Sequence, residues 1–263
     1  MLLYKYVNED RIGILTDGLI RFTQPQALND PFELKPQISD VTDWMSIERG
    51  SSQLIEEKYG DLSQDNKYRL KNIVLSLDSL PDSITKGFEM VVHKAMQEIG
   101  ILSLSEIPDN LLMWAHYANS HQGFVIEFDS SNNFFNQKIG ENDELRHLRK
   151  VLYSEVRPNI RINKIEKHDA GTETFLTKSD AWAYEKEWRM LLPLECSDKK
   201  DNDKHLFKIP FDSISAVIIG ARASQETIEK IKEAISVNSE LSHVKLCKML
   251  IDDKRYELKT EEI

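Results

Sequence analysis

The sequence contains only two cysteines, Cys196 and Cys247, and they do not form a Cys-x-x-Cys pair. Disulfide frameworks and cysteine zinc sites need more cysteines at closer spacing, so we expect two free thiols. No apolar run approaches the roughly 18 consecutive residues that cross a bilayer, and the opening Met1–Lys5 lacks the basic and then apolar layout of a signal peptide. We therefore expect a cytoplasmic protein with no membrane partner.

Familiar phosphate-binding and hydrolase signatures are also missing. The sequence has no GxxxxGK[ST], GxGxxG, HExxH or GxSxG motif and no Asp-rich calcium loop. These absences disfavour the common nucleotide triphosphatases, Rossmann dehydrogenases, zinc proteases and α/β-hydrolases.

Acidic residues outnumber basic residues, with 44 Asp and Glu against 34 Lys and Arg, for a formal net charge of −10. This charge repels phosphate backbones at long range, although it leaves room for a local basic groove. A nucleic acid is therefore not the expected partner, whereas a small-molecule ligand or a protein target is. No pattern in the sequence indicates an oligomeric state.

Hydrophobic residues make up 40% of the chain and charged residues 30%, which predicts a packed interior under a solvated surface. The opening alternates strand, helix and strand over 2–23, with Gly18 ending the helix, and the same order returns over 101–128. Between them, apolar residues recur at helical spacing, which predicts a helical insertion at about 40–100. We expect a single domain over residues 1–263, with two small domains as the alternative.

The second half of the chain continues to alternate. Phe175–Trp182 has the pattern of a helix that leads into a strand at Glu187–Leu194, and Ser224–Ser236 has that of an amphipathic helix. Val244–Leu258 predicts a closing β-hairpin. The predicted fold class is therefore α+β, with a mixed, mostly antiparallel sheet, flanking helices and the helical insertion.

Two carboxylates and a guanidinium alternate in the run Tyr184–Arg189. If this stretch is extended, Glu185, Glu187 and Arg189 share one face. Carboxylates a few ångströms apart repel each other, which raises one pKa and suits a general base or an electrostatic stabiliser, while Arg189 can hold one of them ionised. An ordinary ion pair on the exposed face of an edge strand is the alternative.

Aromatic and imidazole side chains are concentrated in the run Trp114–His121. On a helix, Trp114, Tyr117 and His121 lie on one face, whereas His116 projects elsewhere. The two histidines are not spaced as the usual helical metal pair, so we predict no metal site. This turn suits a flat ligand, and packing of Trp114 and Tyr117 in the core is the alternative.

The run Thr23–Glu33 holds two prolines and an Asn-Asp pair, which predicts a rigid turn. A structural use is the simpler interpretation, yet a rigid loop also presents ligand contacts, with Thr23 as the candidate. Lys5 lies between two tyrosines on the first strand and would reach a phosphate if that strand lines a cleft.

Four runs of this sequence occur together in one bacterial family. They are Leu3–Tyr6, Phe22–Pro25 leading to Asn29–Glu33, Met113–Ala118 with His121 and Gly123, and Trp182–Arg189. Each run alone is weak, but the combination is specific. On these runs the chain resembles the family known as domain of unknown function 2971 across nearly its whole length. The family name implies no activity.

The layout has a more distant similarity to the ADP-ribosyltransferase fold. Those enzymes have a basic or imidazole residue on the first strand, a strand with Ser or Thr before a helix, and a later Glu entering a strand. Here the corresponding residues are Lys5, where those enzymes use Arg or His, then Ser103–Ser105 and Glu185–Glu187. The resemblance implies that NAD is the substrate, that Tyr117 stacks on its nicotinamide, that one of the serines holds its ribose and that Glu187 stabilises the oxocarbenium ion.

The predicted function is therefore an ADP-ribosyltransferase-like enzyme that uses NAD, in bacterial stress or phage defence. The candidate catalytic residues are Glu187, Glu185 and His116. The candidate NAD-binding residues are Lys5, Thr23, Ser103, Ser105, Trp114, Tyr117, His121 and Arg189.

Two other functions stay open. A non-catalytic ligand-sensing or protein-interaction module would bind through Trp114, His116 and Trp188. A metal-dependent nuclease would hold its metal with acids that lack a recognisable nuclease spacing, namely Asp30, Glu33, Glu185 and Glu187.

Overall fold

The fold is taken from a computed structural model of the chain. The structure describes residues 1–39, 52–53, 55–56, 63–75, 86, 90, 93–94, 96–141, 143–161 and 169–263. Contacts divide the chain into two compact units. Unit 1 comprises Met1–Leu34, Gln97–Val156 and Leu176–Ile263, and unit 2 comprises Lys35–Met96 and Arg157–Phe175. The prediction of a single domain stays a prediction.

The strands, in chain order, are β1 (Leu2–Val7), β2 (Leu19–Phe22), β3 (Gln37–Ser39), β4 (Ile99–Ser105), β5 (Phe124–Asp129), β6 (Arg149–Lys150), β7 (Leu152–Ser154), β8 (Asn159–Arg161), β9 (Thr177–Ser179), β10 (Glu187–Pro193), β11 (Lys199–Asp201), β12 (Lys204–Lys208), β13 (Ile214–Ile219), β14 (Lys245–Ile251) and β15 (Leu258–Glu262). The α-helices are α1 (Gly13–Asp17), α2 (Gln64–Leu75), α3 (Leu111–Tyr117), α4 (Asp169–Leu176) and α5 (Gln225–Val237). Short 3-10 helices span Glu9–Arg11, Pro25–Ala27, Asn133–Phe135, Asp180–Glu185, Leu194–Cys196, Phe211–Ser213 and Ser239–Leu241. Among the described residues, no helix has the length and apolar character needed to cross a bilayer.

Unit 1 is built on a sheet of eight strands in the order β15-β14-β13-β5-β1-β4-β10-β6. Its neighbouring strands pair antiparallel, except for β13 and β14, which run parallel. A second antiparallel sheet joins β2, β12 and β11. The prediction of an α+β fold with a mixed, mostly antiparallel sheet is therefore confirmed.

Apolar clusters cover both faces of the large sheet. Leu3 and Val7 of β1 belong to the larger cluster, as does Ile231 of α5. Tyr6 faces the other way and joins a smaller cluster with Trp114 of α3. Side chains alternate between the two faces of a strand, so one strand supplies both clusters. Complete burial of each large apolar side chain contributes about 1.5–3 kcal/mol.

The large sheet opens between β1 and β4. These strands share a single registered pair, Tyr4 with Ser105, whereas β1 pairs with β5 along its whole length. Farther along β4, the backbone of Ile101 exchanges two hydrogen bonds of 2.8 and 2.9 Å with Thr23, which follows β2. The partner of β4 thus changes from β1 to the end of β2. This change leaves an opening bordered by three strands.

Several predicted elements are present at shifted bounds. Gly18 ends α1 in a left-handed conformation with φ of 66°, as its position predicts. The predicted strand at Glu187–Leu194 is β10, the predicted helix at Ser224–Ser236 is α5, and the predicted hairpin at Val244–Leu258 is the antiparallel pair of β14 and β15. The order of strand, helix and strand over 101–128 is found as β4, α3 and β5.

The predicted helix at Phe175–Trp182 is wrong. Helix α4 ends at Leu176, and the next three residues form β9, which pairs with β7. Ser179 then accepts a hydrogen bond from the backbone of Ala181 and caps a 3-10 helix. A β-branched Thr177 and a serine that bonds its local backbone both favour departure from the helix.

Unit 2 contains α2, most of α4 and a parallel pair of strands, β3 and β8. Gln37 donates its backbone N–H to the carbonyl of Pro158 at 2.7 Å, just before these strands pair. Helix α2 lies within the predicted insertion at about 40–100. Most other residues of that stretch lie outside the described residues.

Gly123 lies where the backbones of β1 and β5 approach each other closely. A Cβ atom there would lie 2.1 Å from the carbonyl oxygen of Val7, which is backbone and cannot rotate away. We expect Gly123→Ala to lower the free energy of unfolding by about 1–3 kcal/mol through overpacking. Gly140→Ala is the control, because no described atom lies within 4 Å of a Cβ at that position. Urea denaturation measures both variants, and equal effects would contradict the packing.

Candidate functional site

The opening in the large sheet of unit 1 contains a cavity of about 250 Å³. Its walls come from β1, β2, β4, β9, β10, α3 and the loop after β2. Pairing of β4 with β10 sets Ser103 opposite Arg189 and Ser105 opposite Glu187. Eight of the eleven predicted site residues line this cavity, namely Lys5, Thr23, Ser103, Ser105, Tyr117, Glu185, Glu187 and Arg189.

A buried lysine holds three carboxylates together in the cavity wall. Lys178 Nζ donates to Glu185 Oε2 at 2.6 Å and to Glu187 Oε2 at 3.3 Å. The same nitrogen lies 3.9 Å from Glu33 Oε2 and 4.9 Å from the ring centroid of Trp182. Lys178 and the three glutamates are all buried. Because like charges repel strongly away from water, the three carboxylates need the cation at their centre.

Arg189 is the second cation of this cluster. Its Nε donates to Glu187 Oε1 at 2.8 Å and its Nη2 to Glu187 Oε2 at 3.0 Å, which is the fork geometry of a bidentate pair. Nη2 also donates to Glu33 Oε1. Both oxygens of Glu187 are thus taken by cations, whereas the buried Oε2 of Glu33 accepts no hydrogen bond from any described residue.

Burial and neighbouring charge set the proton affinities in the cluster. Burial raises the pKa of Glu187, Lys178 opposes that rise, and Glu185 adds to it. Burial alone would lower the pKa of Lys178, but the charges of Glu187 and Glu185 outweigh it and raise this pKa. The ammonium therefore stays protonated, while Glu187 takes up a proton more readily than an exposed glutamate does.

A tyrosine of α3 fixes the second carboxylate. Tyr117 Oη donates to Glu185 Oε1 at 2.5 Å and accepts from Asn29 Nδ2 at 3.0 Å. Burial and the charge of Glu185 raise the pKa of Tyr117, so the phenol stays protonated. Asn110 caps α3 by accepting hydrogen bonds from two backbone N–H groups. The ring of Tyr117 therefore faces the cavity in a fixed orientation.

The chain turns sharply between the two carboxylates. Lys186 has a left-handed conformation with φ of 46°. Ser105 Oγ donates to the carbonyl of Glu185 at 2.6 Å, and Tyr153 Oη accepts from the backbone N–H of Glu187 at 2.8 Å. The condition that the whole run is extended is not met, because Glu185 ends a 3-10 helix and Glu187 begins β10. The turn nevertheless brings both carboxylates to the same cavity.

Lys5 is a cavity cation without a salt bridge to any described carboxylate. Its Nζ donates to the carbonyl of Ser103 at 2.9 Å, across the opening between β1 and β4. Burial lowers the pKa of Lys5 to about 8, the charge of Glu187 opposes this, and Arg11 and Arg21 add to the lowering. Lys5 therefore titrates near neutral pH, as lysines at functional sites often do.

Three predicted site residues do not line this cavity. Trp114 is fully buried, and its Nε1 donates to the carbonyl of Pro108 at 2.7 Å. His116 is exposed on α3. His121 follows the end of α3 with φ of 71°, stacks on Trp114 with ring centroids 6.2 Å apart, and lines another cavity, of about 540 Å³.

Lys178 and Arg21 line the cavity but were not predicted from the sequence. Lys178 lies in the stretch interpreted as a helix, and its spacing of four residues from Trp182 is the one signal of their cation–π contact. Arg21 lies two residues before Thr23, so it shares that residue's side of an extended chain.

The carboxylates of the cluster surround a lysine rather than a metal position. Among the described residues, no group of three or more His, Cys, Asp or Glu side chains could hold a metal ion. Glu33, Glu185 and Glu187 were the acids of the nuclease hypothesis, and the ammonium of Lys178 lies between them. Asp30 instead accepts from the backbone N–H of Phe32 at 2.8 Å.

Replacing Lys178 tests the cluster. We expect Lys178→Met to lower the free energy of unfolding by about 3–5 kcal/mol at pH 8, because it leaves buried carboxylates without their cation. Burial and the charge of Glu185 already raise the pKa of Glu187, and this pKa then rises further because Lys178 no longer opposes the rise. Such groups contribute stability at low pH and lose it as pH rises through the folded pKa, so the loss should be smaller at pH 5.

Urea denaturation at the two pH values measures the effect. The matched control is Lys230→Met, which removes an exposed pair with Glu226 on α5 and should change stability little. Similar small losses in both variants would contradict the role of Lys178.

Replacing Lys5 should stabilise the fold, which is opposite to the effect expected at Lys178. Its folded pKa of about 8 lies below the ordinary value of 10.5, so folding disfavours the charged amine. This cost is complete below pH 8 and shrinks as pH rises toward 10.5. We expect Lys5→Met to raise the midpoint of thermal unfolding at pH 6.5 and to raise it less at pH 9.5. A lower midpoint at pH 6.5 would show that Lys5 stabilises the fold.

Comparisons with known proteins bear on one stretch of the chain. No curated protein and no solved structure matches the chain. The resemblance to ADP-ribosyltransferases stays a prediction, as does the family resemblance outside the matched residues. Residues 113–190, which include α3 and both Glu185 and Glu187, match one family model. This match supports the predicted family, which is described as Protein of unknown function (DUF2971).

Proposed function

We propose that the cavity binds NAD and that the protein is an ADP-ribosyltransferase-like enzyme. One observation carries the proposal: Glu185 and Glu187 line the same cavity as Lys5, Ser103 and Tyr117. These residues come from four separate parts of the chain, so only the fold brings them together. They are the residue types that the resemblance assigns to the substrate and to the developing charge.

The size and lining of the cavity fit part of a dinucleotide. A volume of about 250 Å³ lies just below the range of typical ligand pockets, which span about 300–1,000 Å³. It suits the nicotinamide and its ribose, with the rest of NAD in the open mouth. The ring of Tyr117 offers a flat face, and Glu33 Oε2 offers an acceptor for an amide N–H or a hydroxyl.

The proposed reaction breaks the bond between C1′ of the nicotinamide ribose and the ring nitrogen. Nicotinamide leaves with the electron pair of that bond, and positive charge develops on the ribose. The negative charge of Glu187 stabilises this charge, and Glu185 accepts the proton of the attacking nucleophile, an acceptor group or water. His116 is exposed and does not line the cavity, so the proposed reaction gives it no role.

A non-catalytic ligand-sensing module is the second candidate. The observation that favours it is that Arg189 and Lys178 already occupy both carboxylate oxygens of Glu187. A carboxylate held in this way can shape a binding site without taking part in chemistry. Such a module would bind NAD or a related ligand without turnover. A role in bacterial stress or phage defence rests on the resemblance alone.

Incubation with NAD⁺ tests the enzyme proposal. We expect the wild-type protein to release nicotinamide, and Glu187→Gln to lower the rate by about 100- to 1,000-fold, because it removes the charge that stabilises the transition state. Chromatography of released nicotinamide measures the rate, and calorimetry measures NAD⁺ binding. Glu195→Gln is the control, since Glu195 is exposed just after β10.

The outcomes separate the two candidates. Binding with release that depends on Glu187 supports the enzyme. Binding without release supports the sensing module. No binding at millimolar NAD⁺ overturns the NAD proposal itself.

A further inference from the structure

The cavity carries more positive than negative side chains. Its four cations are Lys5, Arg21, Lys178 and Arg189, and its three anions are Glu33, Glu185 and Glu187. The glutamates pair with Lys178 and Arg189. The other two cations, Lys5 and Arg21, form no salt bridge with any described residue. A local excess of positive charge in a chain of net charge −10 attracts an anion to this one place.

Arg21 supplies a buried donor that lacks an acceptor. It lies on β2, opposite Leu206 of β12, and its side chain lines the cavity. Its Nε is buried and has no hydrogen-bond partner among the described residues. Buried polar atoms are nearly always paired with protein, water or ligand, so this nitrogen needs an acceptor that the described chain does not provide.

Lys5 has N–H groups that no described acceptor uses. Its ammonium group carries three N–H bonds, and the carbonyl of Ser103 is its one acceptor among the described residues. Arg11 and Arg21 lie near enough for their charges to disfavour the protonated form of Lys5, against the larger and opposite effect of Glu187. Two neighbouring cations with unused donors repel each other, and an oxyanion between them removes both the repulsion and the unmet hydrogen bonds.

We propose that Lys5 and Arg21 form an anion subsite that takes the phosphate group of a ribose phosphate. Arg21 is the residue that gives the cavity its preference for a phosphorylated ligand. Glu33 Oε2, which accepts no hydrogen bond from a described residue, accepts a hydroxyl or amide hydrogen from the same ligand. The subsite itself does not depend on the proposed function. Only the choice of NAD as the ligand rests on that function, and the nicotinamide ribose of NAD carries a phosphate.

Paired titrations of ribose 5-phosphate and ribose test the subsite. These ligands differ only in the phosphate, and neither has a nicotinamide bond to cleave. Calorimetry at low ionic strength should show that the wild-type protein binds ribose 5-phosphate at least about 10-fold more tightly than ribose, since a charge-assisted hydrogen bond is worth at least one factor of ten in affinity. Added salt should reduce this difference.

Variants of Arg21 test whether this side chain causes the preference for the phosphate. We expect Arg21→Gln to raise the Kd for ribose 5-phosphate by about 10- to 100-fold and to leave ribose binding unchanged. Arg21→Lys keeps the positive charge but loses the forked guanidinium donors. Its Kd for ribose 5-phosphate should therefore lie between those of the wild-type protein and Arg21→Gln. Arg255→Gln is the control, because Arg255 is exposed in the turn between β14 and β15. Thermal unfolding checks that each variant is folded, and Arg21→Lys carries the test if Arg21→Gln is not.

Two results would overturn the subsite: equal affinity of the wild-type protein for ribose and ribose 5-phosphate, or wild-type affinity for ribose 5-phosphate in Arg21→Gln and Arg21→Lys. The proposed function fails separately. Arg21-dependent binding of ribose 5-phosphate, with no nicotinamide release from NAD⁺, keeps the subsite and removes the enzyme. Nicotinamide release from NAD⁺, with no preference for ribose 5-phosphate over ribose, would keep the enzyme and remove the subsite.

Discussion

The ammonium of Lys178, surrounded by Glu33, Glu185 and Glu187, is the interaction on which the rest of the site depends. Three buried carboxylates within reach of one another are unfavourable unless cations lie among them. Lys178 and Arg189 provide this compensation, and the bidentate pair of Arg189 with Glu187 fixes its geometry. An apolar core would give a fold comparable or greater stability than such a cluster, so the cluster points to a function for the cavity that it borders.

The opening between β1 and β4 explains why a cavity lies beside this cluster. A continuous sheet would place backbone hydrogen bonds where Lys5 now reaches across to the carbonyl of Ser103. The cavity is lined by carboxylates that pair with Lys178 and Arg189 and by two further cations, Lys5 and Arg21, that form no salt bridge with a described residue. The proposed ligand carries both hydroxyl groups and a phosphate, which offer partners to both sets of side chains.

The fold class and most of the site's residue types could be predicted from the sequence, because strand alternation and the carboxylates of Tyr184–Arg189 are local patterns. The sheet opening could not, since the single pair of Tyr4 with Ser105 is set by tertiary packing. The position of His121 was missed for a related reason. Helix α3 stops at Tyr117, and the carbonyl of His121 approaches Gly220 so closely that a Cβ there would lie 2.2 Å away. Lys178 was missed because its stretch has the pattern of a helix but folds as β9.

We propose that the cavity at the sheet opening is the ligand site. An NMR titration with NAD⁺, following backbone amide shifts of the isotope-labelled protein, tests it most directly. Binding in this cavity should give the largest shifts at Lys5, Thr23, Ser103 and the end of α3. Shifts concentrated instead around Arg222 in the other cavity, or no shifts at millimolar NAD⁺, would contradict it.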